Sequence, residues 1–406
     1  MFKWSLNESQ FNFLDRLKIC GFFLNPRNFW TQNRQVCLFE REMAEKMGYK
    51  YSVFVSSGST ANTILAMYLR DKLKSLKEKE RNIVVLPSVT WQTSCSPWIR
   101  EGFDPYFIDV SMENYGMDLD KLQDFLAKNH EKIAVVFPTA LLGFNLNYAK
   151  LNSLKELYPD IEFFIDQCEN NFGVVDDFSG MNSFQKFTCT TSTYFGHEIQ
   201  SVEGGFLLTN DINEYRKFIL YRNHGMVRSL ENTSFDKEEN KEHSYEIANK
   251  DVDFRFDFNL MGSNFRNTDI NAFIGRLDLR KCQDNIDKRR NLYKLFVKKI
   301  NRNRYHLALD GEESRKVSPF CLPIITKGDD KQDRNFILDT YLMATGIETR
   351  PIISGFLGYQ KAYIGLLDEK DHPNAVYLHK NGRYVGLHPK VTEKQMNGLI
   401  EFLNQI

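Results

Sequence analysis

The sequence predicts an α/β fold: a mostly parallel central sheet flanked by helices, with a smaller α+β unit at the C-terminal end. Three observations carry this. Between about residues 50 and 210, short apolar runs alternate with stretches of helical spacing. The runs are continuous, as expected for strands buried on both faces. Beyond residue 221 the pattern changes to long helical stretches and isolated strands. Strand–helix–strand repetition implies parallel strands joined by right-handed crossovers, with ligands beyond the strands' carboxyl ends.

The strand candidates, in chain order, are 82–86 (NIVVL), 105–110 (PYFIDV), 133–137 (IAVVF), 161–165 (IEFFI) and 205–209 (GFLLT). Helical spacing covers 60–76, 118–129 and 150–157. The polar stretch 229–250 predicts an exposed loop or mobile excursion. Residues 269–299 predict one or two helices, with Ile270, Phe273, Ile274, Leu277 and Leu279 on the apolar side. A strand near 319–324 and helices over 333–345 and 392–403 complete the smaller unit. The expected division is an N-terminal segment 1–30, a large unit 31–268 and a small unit 269–406.

Composition narrows the function classes. The 406 residues carry 53 Lys plus Arg and 53 Asp plus Glu, so the formal net charge is zero. That argues against a broad nucleic-acid surface or a polybasic membrane anchor. The polar, mixed-charge start does not read as a secretory signal, and no run is long enough to span a bilayer. The seven cysteines are scattered without a C-x-x-C, which fits reduced thiols in a cytoplasmic enzyme better than a metal centre.

Four signals each follow a strand or open a helix. Ser56-Ser57-Gly58-Ser59-Thr60-Ala61-Asn62 leads into a helix, where small residues and free N–H groups can receive an anion, or simply cap the helix. Trp91, in Pro87-Ser88-Val89-Thr90-Trp91, can stack on a flat ring or fill a core. Asp166, with Glu169 three residues on, can pair with a protonated ring nitrogen or cap a helix. His197 stands in a polar turn that ends in Glu203-Gly204-Gly205; it is either structural or a proton carrier.

Together these residues resemble the DegT-type nucleotide-sugar aminotransferases, a family with the fold-type-I, aspartate aminotransferase-like architecture that binds pyridoxal phosphate (PLP). The resemblance runs through Pro87 to Trp91, Asp166 to Glu169, Ser192 to Gly205, Gly262-Ser263-Asn264-Phe265-Arg266-Asn267-Thr268-Asp269 and Gly346-Ile347-Glu348-Thr349-Arg350-Pro351. It implies that Gly58, Ser59, Thr60 and Ser192 hold the cofactor phosphate and that Trp91 stacks on the ring. Asp166 would meet the ring nitrogen, and Glu169 would lie near the ring hydroxyl. Asn264 would come from a second subunit, giving a homodimer with shared active sites. His224, Arg266 and Arg350 are candidates for substrate contact.

One position departs from the family pattern. Six residues before Glu203, where the family has its Schiff-base lysine, this chain has His197. Imidazole is not a primary amine and cannot replace that lysine covalently, but it can move protons near neutral pH. Lys186, the nearest lysine upstream, reads as part of a strand. The histidine matches the family's 3-dehydratase branch, and the cysteine spacing does not fit the iron–sulfur type. The resemblance then implies pyridoxamine phosphate (PMP) held non-covalently. The C3 hydroxyl of a nucleotide-diphosphate 4-keto-6-deoxyhexose, of the GDP-4-keto-6-deoxymannose kind met in colitose biosynthesis, would be removed with release of ammonia. L-glutamate would restore the amine. That subgroup often carries a second histidine where this chain has Glu198. The alternatives are an aminotransferase and a non-catalytic binding protein.

Overall fold

The computed structural model describes residues 3–78, 80–171, 183–308, 317–327 and 331–406. Among them, seven strands form one sheet: β1 (Tyr51–Val55), β2 (Ile83–Pro87), β3 (Asp104–Ile108), β4 (Ile133–Val136), β5 (Glu162–Asp166), β6 (Thr188–Ser192) and β7 (Gly205–Thr209). Their order is β1-β7-β6-β5-β4-β2-β3. The five strands from β6 to β3 are parallel neighbours, whereas β7 runs antiparallel to both β6 and β1. The run at 205–209 is thus a strand as predicted, but it returns through a turn rather than a helical crossover.

The predicted strands fall within one or two residues of β2, β3, β4, β5 and β7. β1 and β6 were not predicted. Their sequences, YSVFV and TCTTS, mix hydroxyls with apolar residues, so they show no continuous apolar run. Continuous strands serve two cores here. Phe163 and Ile165 of β5 enter one core while Phe164 enters the other, and Phe206, Leu208 and Leu207 of β7 divide the same way.

The helices before and between these strands are α1 (Phe13–Leu24), α2 (Arg34–Met47), α3 (Gly58–Leu76), α4 (Gln92–Arg100), α5 (Leu119–Asn129) and α6 (Tyr148–Leu157). After β7 come α7 (Ile212–Arg222), α8 (Lys237–Glu246), α9 (Asp269–Leu279) and α10 (Cys282–Lys299). The stretch 229–250 is in large part exposed, as expected, but the expectation of a loop is corrected by α8. Asn240 and Ser244 are fully buried, and Arg216 donates from Nε to Asn240 Oδ1 at 2.8 Å. This helix is anchored by polar contacts, so hydrophobic periodicity could not reveal it.

The smaller sheet has the order β10-β11-β9-β8, from β8 (Tyr305–His306), β9 (Cys321–Thr326), β10 (Thr349–Pro351) and β11 (Gly382–Gly386). Around it lie α11 (Lys331–Thr345), α12 (Pro373–Asn381) and α13 (Glu393–Gln405). Its core takes in Trp4, whose indole donates to Gly386 O at 2.8 Å, and Tyr115, Leu141, Leu142 and Phe144 from the first 150 residues. Conversely, Ala272, Leu279, Cys282 and Ile286 of α9 and α10 pack into a core of the large sheet. The two units therefore share apolar cores.

Candidate active site

The Ser57–Thr60 turn caps α3 at the carboxyl end of β1. Ser57 and Thr60 form a reciprocal capping box, with Ser57 Oγ accepting from Thr60 N at 3.1 Å. The helix reading of this motif is therefore correct, and the cap leaves the first-turn N–H groups of Gly58 and Ser59 as natural anion donors. Gly58 is required by space. A Cβ there would stand 2.8 Å from Cys168 Sγ and 3.1 Å from Ser192 Cβ. Gly205 closes the same cradle, since its Cβ would fall 2.4 Å from Gly58 N. These glycines let the helix start approach β6 and β7, and they bring Ser192 beside Gly58. Ser59 Oγ lies 2.8 Å from Thr93 Oγ1, linking the cradle to α4.

Asp166 ends β5 and is 2% exposed. It caps no described helix. Its Oδ2 accepts from Asn62 Nδ2 at 2.9 Å and Ser94 Oγ at 2.7 Å, and its Oδ1 accepts from Cys168 N at 3.0 Å. Asn62 is itself fixed, because Thr190 donates to its Oδ1 at 2.6 Å. A buried carboxylate is tolerated only when hydrogen-bonded in this way. Asn62 and Ser94 were not singled out as site residues from sequence, although Asn62 closes the quoted helix-start motif. Trp91 precedes α4 and is 59% exposed, so it is not a core tryptophan and one ring face is open.

His197 lies on the turn between β6 and β7. Its half-buried imidazole sits 5.2 Å, centroid to centroid, from the Phe320 ring and 6.3 Å from Tyr194. Burial, and then the Arg289 guanidinium, lower its pKa to about 4, while a hydrogen bond to the Cys168 backbone acts the other way. It is therefore a neutral base at pH 7. Glu169 shows the opposite shift. Burial pushes its carboxyl up to about 8, against the Leu142 N–H that Oε2 accepts at 2.8 Å; the nearby Asp166 adds to the rise. Glu198 points away from a histidine-like role, being buried with Oε2 accepting from Asn171 N at 2.6 Å.

Lys186 does not lie in a strand. It ends the 3-10 turn Ser183–Lys186, before β6 begins, while His197 follows the far end of that strand. Five residues of strand span roughly 16 Å, too far for the two to be exchanged.

Among the described residues, the remaining candidates make no hydrogen bond or ion pair with His197 or Asp166. His224 holds a left-handed backbone, φ 61°, and its N–H donates to Ser263 O at 2.9 Å. Asn223 bridges Asn264, and Phe265 O accepts from Ser56 N at 3.0 Å. His224, Asn264 and Arg266 thus form one exposed-to-half-buried edge beside the helix start, with Arg266 Nε donating to Asn264 Oδ1 at 3.0 Å. Arg350, on β10, pairs with Glu348 at 3.2 Å, and Glu348 Oε2 also accepts from Leu6 N at 3.1 Å. Sequence reading missed the N-terminal strand of contacts here. Asn7 Nδ2 donates to Phe195 O, two residues before His197. Among the described residues no helix is long and apolar enough to cross a membrane.

A mostly parallel sheet, a glycine-lined helix start and a pinned aspartate at the end of β5 define a PLP-type aminotransferase fold. The chain belongs to the DegT/DnrJ/EryC1/StrS aminotransferase family, whose model matches residues 24–404. Within that family it is similar to the GDP-4-keto-6-deoxy-D-mannose 3-dehydratase of Yersinia pseudotuberculosis, 29% identical over 93% of both chains. It is also similar to the solved Escherichia coli GDP-4-keto-6-deoxy-D-mannose 3-dehydratase with bound hydrated PLP, at a TM-score of 0.82 and 25% identity over 99% of this chain and 100% of that one. A structure of a GDP-4-keto-6-deoxymannose 3-dehydratase with a trapped PLP–glutamate geminal diamine gives the same score, identity and coverage.

Proposed function

We propose that this protein is a PLP/PMP-dependent 3-dehydratase. It removes the C3 hydroxyl of a GDP-linked 4-keto-6-deoxyhexose and uses L-glutamate to regenerate PMP. The observation that carries this reading is His197: a neutral base stands where the family has lysine, in a site whose other parts are present. The cradle at Gly58 and Gly205, the pinned Asp166 and the open face of Trp91 all fit a phosphorylated pyridine ring.

When bound, PMP would supply an amine for the C4 ketone and a ring that holds the electron pair left by proton removal and releases it toward C3 as the C3–O bond breaks. Gly58, Ser59, Thr60 and Ser192 would hold its phosphate. Asp166, unable to turn because Asn62 and Ser94 grip it, would keep the ring nitrogen protonated. Trp91 would cover one ring face. Glu169, mostly protonated at pH 7, would donate to the ring hydroxyl. His197 would take the proton from the carbon that joins amine to ring, and return one in the glutamate half-reaction. Asn264 would reach the site of a partner subunit, making the enzyme a homodimer. His224, Arg266 and Arg350 would contact the nucleotide sugar. The free thiols, four of them buried, fit a reducing compartment such as the cytoplasm.

Incubation with PLP, L-glutamate and the GDP-4-keto-6-deoxy sugar should yield a 3-deoxy-4-keto sugar and ammonia. An aminotransferase would instead accumulate a 4-amino sugar, and borohydride would trap its lysine. A binding protein would saturate with PMP and show no turnover.

A further inference from the structure

The turn that carries His197 is anchored from behind. Gln200 N donates to Asp278 Oδ2 at 2.9 Å, and Glu198 holds Asn171 N. Arg289 of α10, only 3% exposed, feels the charge of both carboxylates. Its Nε has no partner among the described residues. Its Nη1 makes long contacts, 3.4 Å each, with the carbonyls of Pro319 and Phe320. Phe320 is the residue whose ring packs on the imidazole. Its backbone is tied on the other side, since Phe320 N donates to Leu142 O at 3.2 Å.

We propose that Arg289 is a positioning residue for His197. From α10 it steadies Phe320 against the imidazole, and it sets a fixed positive charge behind the ring that disfavours a second proton there. The groups on the elements around the ring support this. Burial keeps Glu169, Cys321 and Tyr384 protonated at neutral pH. Among the described residues, the charge acting on His197 is then that of Arg289, with Glu198 on the ring's own turn. His388 feels the same guanidinium: burial, with Arg289 among the charges acting on it, lowers its pKa to about 4. A base that must accept a proton repeatedly at neutral pH gains from a neighbour that keeps it empty.

This rests on His197 being the base, but its test does not need the reaction. The imidazole signals of the eight histidines are titrated by NMR in the purified full chain, with His197 assigned by its loss in His197→Asn. In the native protein His197 should stay neutral down to about pH 5. In Arg289→Gln its midpoint should rise by about one unit or more, and His388 should follow. Arg289→Lys, which keeps the charge, should remain near the native value. Arg289→Gln alone strands two carboxylates and can unfold the chain. The double variant Arg289→Gln/Asp278→Asn removes the cation together with one of its anions and should still raise the midpoint, by less than Arg289→Gln alone. The acid limb of kcat/KM for ammonia release should move by the same amount. A native midpoint near 6.5, an unchanged midpoint without Arg289, or a lysine variant that behaves like the glutamine one would overturn the proposal. Failure of ammonia release with the His197 titration as described would instead count against the dehydratase reading alone.

Discussion

Lysine and histidine at one position separate two chemistries by what their nitrogens can do. A lysine can exchange covalent partners with a carbonyl compound; the neutral imidazole of His197 can only take and give a proton. His197→Asn should therefore keep its fold and its PMP affinity but lose at least about 10²-fold in ammonia release, the usual scale of a lost general base. Retained activity would exclude it as the base. Glu169 offers a second check through stability. Its folded-state pKa of about 8 lies above the unfolded carboxylate value near 4.5. A raised pKa contributes stability that is complete below about pH 4.5 and is lost as pH rises to about 8. The melting-temperature advantage of cofactor-free Glu169→Gln over the native protein should then widen from pH 5 to pH 8. A constant gap would mean that the carboxyl ionises normally.

Among the elements, those that could be read from the sequence were those with a simple period. The continuous runs of β2 to β5 and β7 announced themselves because both faces of the sheet are covered. β6 did not, since its threonines turn hydroxyls toward Asn62 and Glu214 rather than repeating an apolar residue. α8 was hidden for the same reason. Within the site, Asp166, Trp91 and His197 could be found because each lies at or just beyond the end of a strand. Asn62 and Ser94, which hold Asp166, and Arg289 and Phe320, which meet behind His197, are brought in from 72 to 123 residues away, as the differences 166−94 and 320−197 show. No local pattern records such contacts. The cradle formed by α3, β6 and β7 is a further property of elements. Gly205→Ala would drive a methyl into the Ser57–Gly58 backbone, with Ser57 C only 2.5 Å away. The expected cost is about 1–3 kcal/mol of stability, together with a loss of PMP affinity in equilibrium dialysis. Unchanged affinity would remove the cradle from the cofactor site.

For the whole molecule, charge neutrality argues against a polyanionic polymer as the main ligand but leaves room for a diphosphate held locally. In the edge formed by His224, Asn264 and Arg266, the last two are exposed beside the helix start, and exposed Phe256, Phe258 and Met261 lie just before Asn264 in sequence. Both features fit a site completed by a second copy. Mixing inactive His197→Asn with inactive Asn264→Ala should then restore activity, because half of the mixed dimer's sites are intact; no recovery would place Asn264 outside a shared site. The most direct test of the central claim is the fate of nitrogen from glutamate. Given PLP, L-glutamate and GDP-4-keto-6-deoxymannose, the protein should release one ammonia for each 3-deoxy sugar formed. A stable 4-amino sugar with no free ammonia would contradict the account.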